Sequence, residues 1–174
     1  MSTRKEIELL AEYAPKGAGI NIGCGNVQIG YSLGLDTSDN AMAKVITADA
    51  IKLPFEDNSQ DYIVSSACFE HIAQAPILTL REWLRVIKVG GTIAITVPDA
   101  RYGMWAMTGD DGKPGQLIKK YRAMEHLHAF DFITLKLLFE FAGMDVIRCE
   151  IIDRKPVRPE RTILCVGEKT KEYK

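Results

Sequence analysis

The chain has 174 residues, a formal net charge of −1 and 47% hydrophobic residues, an ordinary composition for a globular domain with its own core. The near-neutral charge argues against a nucleic-acid partner held mainly by electrostatics, since such domains usually carry a basic excess. No apolar run approaches the roughly 18 residues needed to span a bilayer, and Met1 to Glu6 contain no apolar signal core. We therefore expect a cytoplasmic protein that does not bind membranes.

The four cysteines are widely spaced and form no Cys-x-x-Cys pair; they are Cys24, Cys68, Cys149 and Cys165. This spacing favours reduced thiols over disulfides or a zinc site, so we predict no metal. Cys24 and Cys68 are interpreted as small packing residues rather than nucleophiles, because no base stands beside either of them in the sequence.

A capping-box pattern, Thr3-x-x-Glu6, predicts an N-terminal helix within residues 1–15, which Pro15 ends. The next stretch, 17–26, predicts a strand that is buried on both faces, followed by a glycine turn. Gly23 and Gly25 permit a tight turn and let a ligand approach backbone amides.

A second strand, 33–36, ends on Asp36. In open α/β sheets ligands bind at the carboxyl ends of the strands, where a carboxylate can accept both hydroxyls of a ribose. The stretch therefore predicts a nucleoside-cofactor site. Only residues 26–32 connect the turn to the second strand, whereas a βαβ crossover usually needs a dozen or more residues. We expect the first crossover helix to be reduced to a turn or lost.

Apolar, β-branched runs predict five more strands, at 43–49, 61–66, 92–97, 145–152 and 161–166. Two longer helices lie between them. One begins at Pro76 and is closed by Gly90-Gly91 as a left-handed cap, and the other begins after Asp131 and ends at Gly143. This alternation predicts one doubly wound α/β domain over residues 1–174.

The segment 99–130 is too long and too aromatic for a simple connection, and it contains a short predicted helix at 116–125. It follows the fifth strand at the ligand edge of the sheet. We interpret it as an insertion on the substrate side of the domain.

Several of these segments together resemble the class I S-adenosylmethionine-dependent methyltransferases, especially a small branch with a "D-x-x-x-L-P-F" loop and, here, a shortened first crossover helix. The matching segments are 20–25, Asp36, 49–55, 66–71, 80–91 and 141–144. The resemblance extends over roughly residues 18–168. It implies a mostly parallel, seven-stranded Rossmann-like sheet whose last strand is antiparallel, with S-adenosyl-L-methionine as cofactor.

The resemblance also implies which residues bind the cofactor. Gly23, Cys24 and Gly25 would lie under its methionine part, and Asp36 would hold the ribose hydroxyls. Hydrogen bonds to a charged acceptor are the stronger kind.

The same resemblance assigns the adenine end to three residues: Asp49 would accept from the amino group, with the Ala50 backbone and Leu53 beside the ring. Asp49 has a competing interpretation as a loop cap. The wall near the sulfonium would consist of Ser66, Ala67 and Cys68.

Two features depart from the family pattern. Asn21 stands where larger relatives carry an acid, and the lost helix removes an N-terminus that would face the cofactor carboxylate. We expect cofactor binding to be weaker than in full-length relatives.

No catalytic base is evident, but three residues are weak candidates. His126 or His128 could accept a proton near neutral pH, and Asp99 could contact the substrate. His126 and His128 alone are too few for a metal site. Glu70-His71 either caps the turn after the fourth strand or touches ligand.

The expected activity is in-line methyl transfer to a small-molecule acceptor. One alternative is a catalytically inactive binding or regulatory subunit, because a helix and an evident base are absent. A nicotinamide-dependent oxidoreductase is disfavoured, because Gln28 occupies the third glycine position and Asp36 comes too early. Association with a second copy or with another chain is left open.

Overall fold

The computed structural model describes residues 5–37, 46–101, 126–153 and 161–172. In chain order the elements are α1 (Lys5–Ala11), β1 (Gly19–Ile22), β2 (Leu33–Asp36), β3 (Ile46–Thr47), β4 (Gln60–Ser66), a 3₁₀ turn (Phe69–His71), α2 (Pro76–Val86), β5 (Ile87–Pro98), α3 (Phe132–Ala142), β6 (Met144–Asp153) and β7 (Arg161–Lys169). The helix predicted at 116–125 lies outside the described residues, as does Thr3 of the predicted capping box. None of the described helices has the length and apolar content to cross a bilayer.

The strands form one seven-stranded sheet in the order β3-β2-β1-β4-β5-β7-β6. The pairs among β1 to β5 are parallel, and β7 lies antiparallel between β5 and β6. The predicted fold class, a mostly parallel sheet whose last strand is antiparallel, is therefore confirmed. The strand order reverses at β1, which has β2 on one side and β4 on the other. Open α/β sheets bind ligands at such a point.

Alternating side chains cover both faces of the sheet. Ile63 and Ile95 pack on one face against α2 and α3, while Tyr62, Val64 and Ala94 pack on the other against α1. Successive residues of a strand point to opposite faces, so an unbroken apolar run can supply two cores at once. This explains why the central strands contain runs of consecutive buried apolar residues, such as Tyr62 to Val64 in β4.

The connection between β1 and β2 contains no helix, as its length predicted. Side-chain amides hold it instead. The Nδ2 of Asn21 donates to Val27 O at 2.9 Å, and the Nε2 of Gln28 donates to Ser32 O at 2.8 Å. Asn21, the residue that departs from the family acid, thus supports the shortened loop.

The ends of the two longer helices test the capping predictions. Asp131 and Thr134 form a capping box at the start of α3, and Gly143 ends that helix with a φ of 92°. For α2 the predicted start at Pro76 is confirmed and the predicted end is wrong: the helix stops at Val86, because Ile87 already pairs with Gln60 at the start of β5. Gly90, with φ of 82°, lies in an irregular stretch of that strand and not in a helix cap.

Candidate cofactor site

A cavity of about 380 Å³ lies at the carboxyl ends of β1, β2 and β4, beside the point where the strand order reverses. Its volume is within the range of small-ligand sites. The predicted cofactor residues that line it are Gly23, Asp36, Asp49, Ala50, Ala67 and Cys68. The other lining residues are Ile22, Leu35, Thr37, Ala48, Ile51, His71, Ile72, Ala73 and Gln74.

The glycine turn joins β1 to β2 through its backbone. The amides of Gly23 and Cys24 both donate to Leu35 O, at 2.8 and 3.2 Å. Gly23 has a φ of 67°, and a Cβ at this position would collide with the Cys68 side chain. Glycine is therefore required here both for backbone conformation and for space.

Asp36, at the end of β2, borders the cavity and is bonded to the same turn. Its Oδ2 accepts from Gly25 N at 2.9 Å. The carboxylate thus holds the glycine turn in place and contributes a negatively charged group to the cavity wall. The sequence predicted these residues at one site, and the structure brings them into direct contact.

The loop after β3 contributes Asp49 and Ala50 to the cavity wall. Asp49 Oδ1 accepts from Ile51 N at 3.1 Å, which agrees with its interpretation as a loop cap and leaves the adenine role as a prediction. Ala50 O accepts from the Trp83 indole at 2.9 Å. Trp83 is fully buried in α2, so the loop is anchored to the main core.

Leu53 and Ser66, predicted at the cavity wall, support that wall from behind. Leu53 is 3% exposed and packs in the core, and its amide donates to Glu82 Oε1 at 2.8 Å. The Ser66 hydroxyl accepts from Thr96 Oγ1 at 3.2 Å. Cys24 and Gly25 likewise belong to the turn and are not among the lining residues.

Both cysteines of the site are held as thiols. Burial, reinforced by nearby Glu70, raises the pKa of Cys68 to about 12. Burial and Asp36 also raise the pKa of Cys24. A thiol with a raised pKa is a poor nucleophile, which agrees with the interpretation of these residues as packing groups.

On the far wall, Ile72 to Gln74 were not assigned to the site from the sequence, whereas His71 was left open between a turn cap and a ligand contact. This segment follows the 3₁₀ turn after β4, at the same edge of the sheet as Asp36. Its position after a buried strand was the only available signal, because its apolar residues resemble ordinary core.

The proposed catalytic candidates occupy different places. His128 Nε2 lies 2.8 Å from Ile72 O and 3.1 Å from Gln74 O. Carbonyl oxygens only accept, so this nitrogen donates and His128 holds the cavity wall. Asp99 is 4% exposed, accepts from Arg101 N at 3.1 Å and is not among the residues lining the cavity.

His126 lies nearer to the cavity, because its ring packs edge-to-face on His71 with the centroids 4.7 Å apart. Burial, together with the neighbouring His71, lowers the pKa of His126. Its imidazole is therefore neutral near pH 7.

The residues fit an adenosyl cofactor. The site combines a side-chain-free turn at Gly23, a carboxylate at Asp36 and an apolar wall from Leu35 and Ile51. A largely apolar cleft with a few convergent polar groups is the usual form of a cofactor pocket.

Comparison with known proteins agrees with this arrangement. Residues 17–95 match a family described as "Methyltransferase domain". An uncharacterized protein of Methanocaldococcus jannaschii is 34% identical over 107 residues, which cover 55% of this chain and 52% of that protein. Phosphoethanolamine N-methyltransferase 2 of Caenorhabditis elegans is 32% identical over 104 residues, 49% of this chain and 24% of the relative. The chain thus spans about half of the first relative and a quarter of the second.

The fold is also shared with solved structures. The methyltransferase in complex with the Haloferax volcanii Trm112 methyltransferase activator superposes with a TM-score of 0.71 at 21% identity, covering 94% of this chain and 88% of that chain. The family match spans β1 to β5, the part that builds the cavity. The predicted cofactor, S-adenosylmethionine, agrees with solved structures of this fold that are named S-adenosylmethionine-dependent methyltransferases, such as that from Mesorhizobium loti, which has a TM-score of 0.70 at 14% identity and covers 93% of this chain and 95% of that chain. Over the segment that builds the cavity, the chain is therefore similar to S-adenosylmethionine-dependent methyltransferases, and it shares their fold.

Proposed function

We propose that the chain transfers the methyl group of S-adenosylmethionine to a small-molecule acceptor. The observation that carries this proposal is the direct hydrogen bond from the Gly25 amide to Asp36, whose carboxylate lines the cavity. It places a carboxylate and a side-chain-free turn on one surface, as a ligand with both a ribose and an amino-acid part requires.

Each wall of the cavity has a proposed role. Asp36 accepts from the ribose hydroxyls, and the turn at Gly23 makes room for the methionine part. Asp49 and Ala50 flank the adenine. Because Asp49 already accepts from the Ile51 amide, its contribution to affinity should be smaller than that of Asp36.

The protein's contribution to the reaction is positional. When bound, the sulfonium supplies the electrophilic methyl group, and its sulfur keeps the electron pair of the broken carbon–sulfur bond. The chain's own residues would hold the donor beside Ala67 and Cys68, so that the donor and the acceptor would meet in a fixed arrangement. Neutral thiols at Cys24 and Cys68 do not compete as methyl acceptors.

A small acceptor is supported by the nematode relative, which by its name methylates phosphoethanolamine. We propose that residues 99–130 contribute the acceptor side, within a single domain. Most of that segment, 102–125, lies outside the described residues. Among the described residues, His71 to Gln74 form the neighbouring wall.

The proposal is tested by methyl transfer to a metabolite extract with S-adenosylmethionine that carries a tritiated methyl group. We expect a labelled product with the wild-type chain and much less with D36A. A chain that binds the cofactor but labels no product in any extract would contradict turnover and support the regulatory alternative.

A further inference from the structure

One carboxylate and two imidazoles form a cluster beside the cavity, and one of them, His71, belongs to the cavity lining. Glu70 Oε1 lies 3.8 Å from His71 Nε2 and 4.0 Å from His126 Nε2. One ligand atom from each of the three residues lies within 4.8 Å of the other two. Two distant parts of the chain thus present three metal-ligating side chains to one point.

The backbone holds this arrangement. The amides of Leu127 and His128 both donate to Glu70 O, at 2.9 and 3.0 Å. These bonds hold the segment that carries His126 against the 3₁₀ turn that carries Glu70 and His71. The cluster therefore depends on main-chain bonds between the two segments and not only on side-chain conformations.

The cluster is buried on one side and borders the cavity on the other. The side chains of Glu70 and His126 are 2% and 6% exposed, whereas His71 is 37% exposed and borders the cavity. Two of the three groups are thus shielded from water, and the third faces the ligand space.

We propose that Glu70, His71 and His126 bind a divalent transition-metal ion whose remaining coordination positions face the cavity. Two histidines and one glutamate form a known ligand set for zinc, with a free position for water or substrate. Mg²⁺ and Ca²⁺ prefer oxygen ligands throughout, so this nitrogen-rich set selects against them.

The geometry requires only a small adjustment. Tetrahedral coordination with bonds of about 2.1 Å places ligand atoms about 3.4 Å apart. The two separations from Glu70 to the histidines, 3.8 and 4.0 Å, exceed this by roughly 0.5 Å, and all three ligand atoms lie within 4.8 Å of one another, so side-chain rotation has to draw them together.

His128 provides an internal control. It lies two residues from His126, but its Nε2 donates to the carbonyls of Ile72 and Gln74 and does not belong to the cluster. The sequence-based prediction of no metal site considered His126 with His128. It did not include Glu70 and His71, which only the fold brings to His126.

The test is a Co²⁺ titration of the metal-free full-length chain, followed by absorption spectroscopy and repeated with Zn²⁺ in competition. We expect one equivalent bound, with d–d bands and no thiolate charge-transfer band, for the wild type and H128Q. E70Q, H71Q and H126A should each lower the affinity by at least about tenfold.

H71Q is the variant that should disturb folding least, because His71 is the most exposed member of the cluster. A loss of Co²⁺ affinity in H71Q is therefore not explained by unfolding. Three outcomes would overturn the proposal: no specific Co²⁺ binding, equal affinity of H71Q and the wild type, or a thiolate band that places the ion on cysteines. The measurement uses Co²⁺ without S-adenosylmethionine, so its result is independent of methyl transfer.

Discussion

The two halves of the sheet are built differently. On the cofactor side, β1 and β2 have four residues each and β3 has two, and loops make up much of the wall. On the other side, β5, β6 and β7 have twelve, ten and nine residues and form long antiparallel ladders with α3 against them. We infer from this contrast that the long strands stabilise the domain and that the short strands support the proposed cofactor site. Substitutions in the long-strand half should therefore change stability and not cofactor affinity, and substitutions in the short-strand half should change cofactor affinity.

The largest expected effect is on stability in the long-strand half. Phe139 is fully buried in α3 and packs beside Gly167 of β7. F139A should lower the free energy of unfolding by about 3–5 kcal/mol, because it leaves a cavity in the core.

The matched control is F141A on the same helix, where the side chain is 79% exposed. Chemical denaturation should show a change within about 0.5 kcal/mol for this variant. The division between the halves would be wrong if folded F139A bound S-adenosylmethionine much more weakly than the wild type.

A second stability effect tests how β7 is joined to the centre of the sheet. Lys169 is buried, and its Nζ donates to Asn58 Oδ1, Leu84 O and Ile87 O at 2.6, 3.0 and 2.9 Å. K169M leaves these acceptors without their donor and should cost about 2–3 kcal/mol in the free energy of unfolding.

The control for K169M is a substitution of Lys171, a lysine two residues further along the chain that is exposed to solvent. K171M should unfold at the same denaturant concentration as the wild type. Equal midpoints for K169M and K171M would show that the buried ammonium does not stabilise the junction.

The short-strand half is tested by two glycines with positive φ. Gly23 and Gly25 have φ of 67° and 45°, so alanine introduces backbone strain at both. Only at Gly23 does the added Cβ meet another side chain, that of Cys68. By calorimetry, G23A should bind S-adenosylmethionine about tenfold more weakly than G25A does, a difference of about 1.4 kcal/mol. Equal affinities would show that the tight packing at Gly23 does not shape the site.

The smallest expected effect is on the free energy of unfolding and concerns the N-terminal cap of α3. Asp131 Oδ1 accepts from Thr134 N at 2.8 Å, and this bond is the main reason that the pKa of Asp131 is lowered. D131A should cost about 1 kcal/mol of the free energy of unfolding at neutral pH.

The sign of its pH dependence follows from the lowered pKa. The contribution is present above the unfolded-state pKa and is lost as the pH falls below about 4, through the folded-state value. D131N keeps a capping oxygen but does not titrate, so the stability difference between it and the wild type should change in that window. A constant difference down to pH 2 would contradict this assignment.

Local sequence signals were sufficient to predict much of the fold. The Asp131 cap, the Gly143 end and the shortened β1–β2 connection each depend on a few neighbouring residues. Gly90-Gly91 was misinterpreted for the same reason: a glycine pair after an apolar helix resembles a cap, whereas pairing of Ile87 with β4 ends the helix earlier.

The site was predicted where the motif itself forms the wall and missed where distant segments meet. Gly23 and Asp36 lie in the signature stretch, and both line the cavity. The approach of His126 to Glu70 depends on backbone bonds across the fold, and no local pattern encodes it. Ile72 to Gln74 were missed because a cavity wall and a core segment use the same apolar residues.

The central claim is that the carboxylate of Asp36 and the glycine turn bind S-adenosylmethionine. Calorimetric titration of the wild type, D36N, D36A and E56A with this cofactor tests it directly. D36N retains an oxygen for the Gly25 amide, and Glu56 is an exposed acid outside the cavity lining. We predict saturable one-to-one binding for the wild type and E56A, about tenfold weaker binding for D36N and about a hundredfold for D36A. Equal affinity of all four proteins, or no binding by the wild type, would contradict the account.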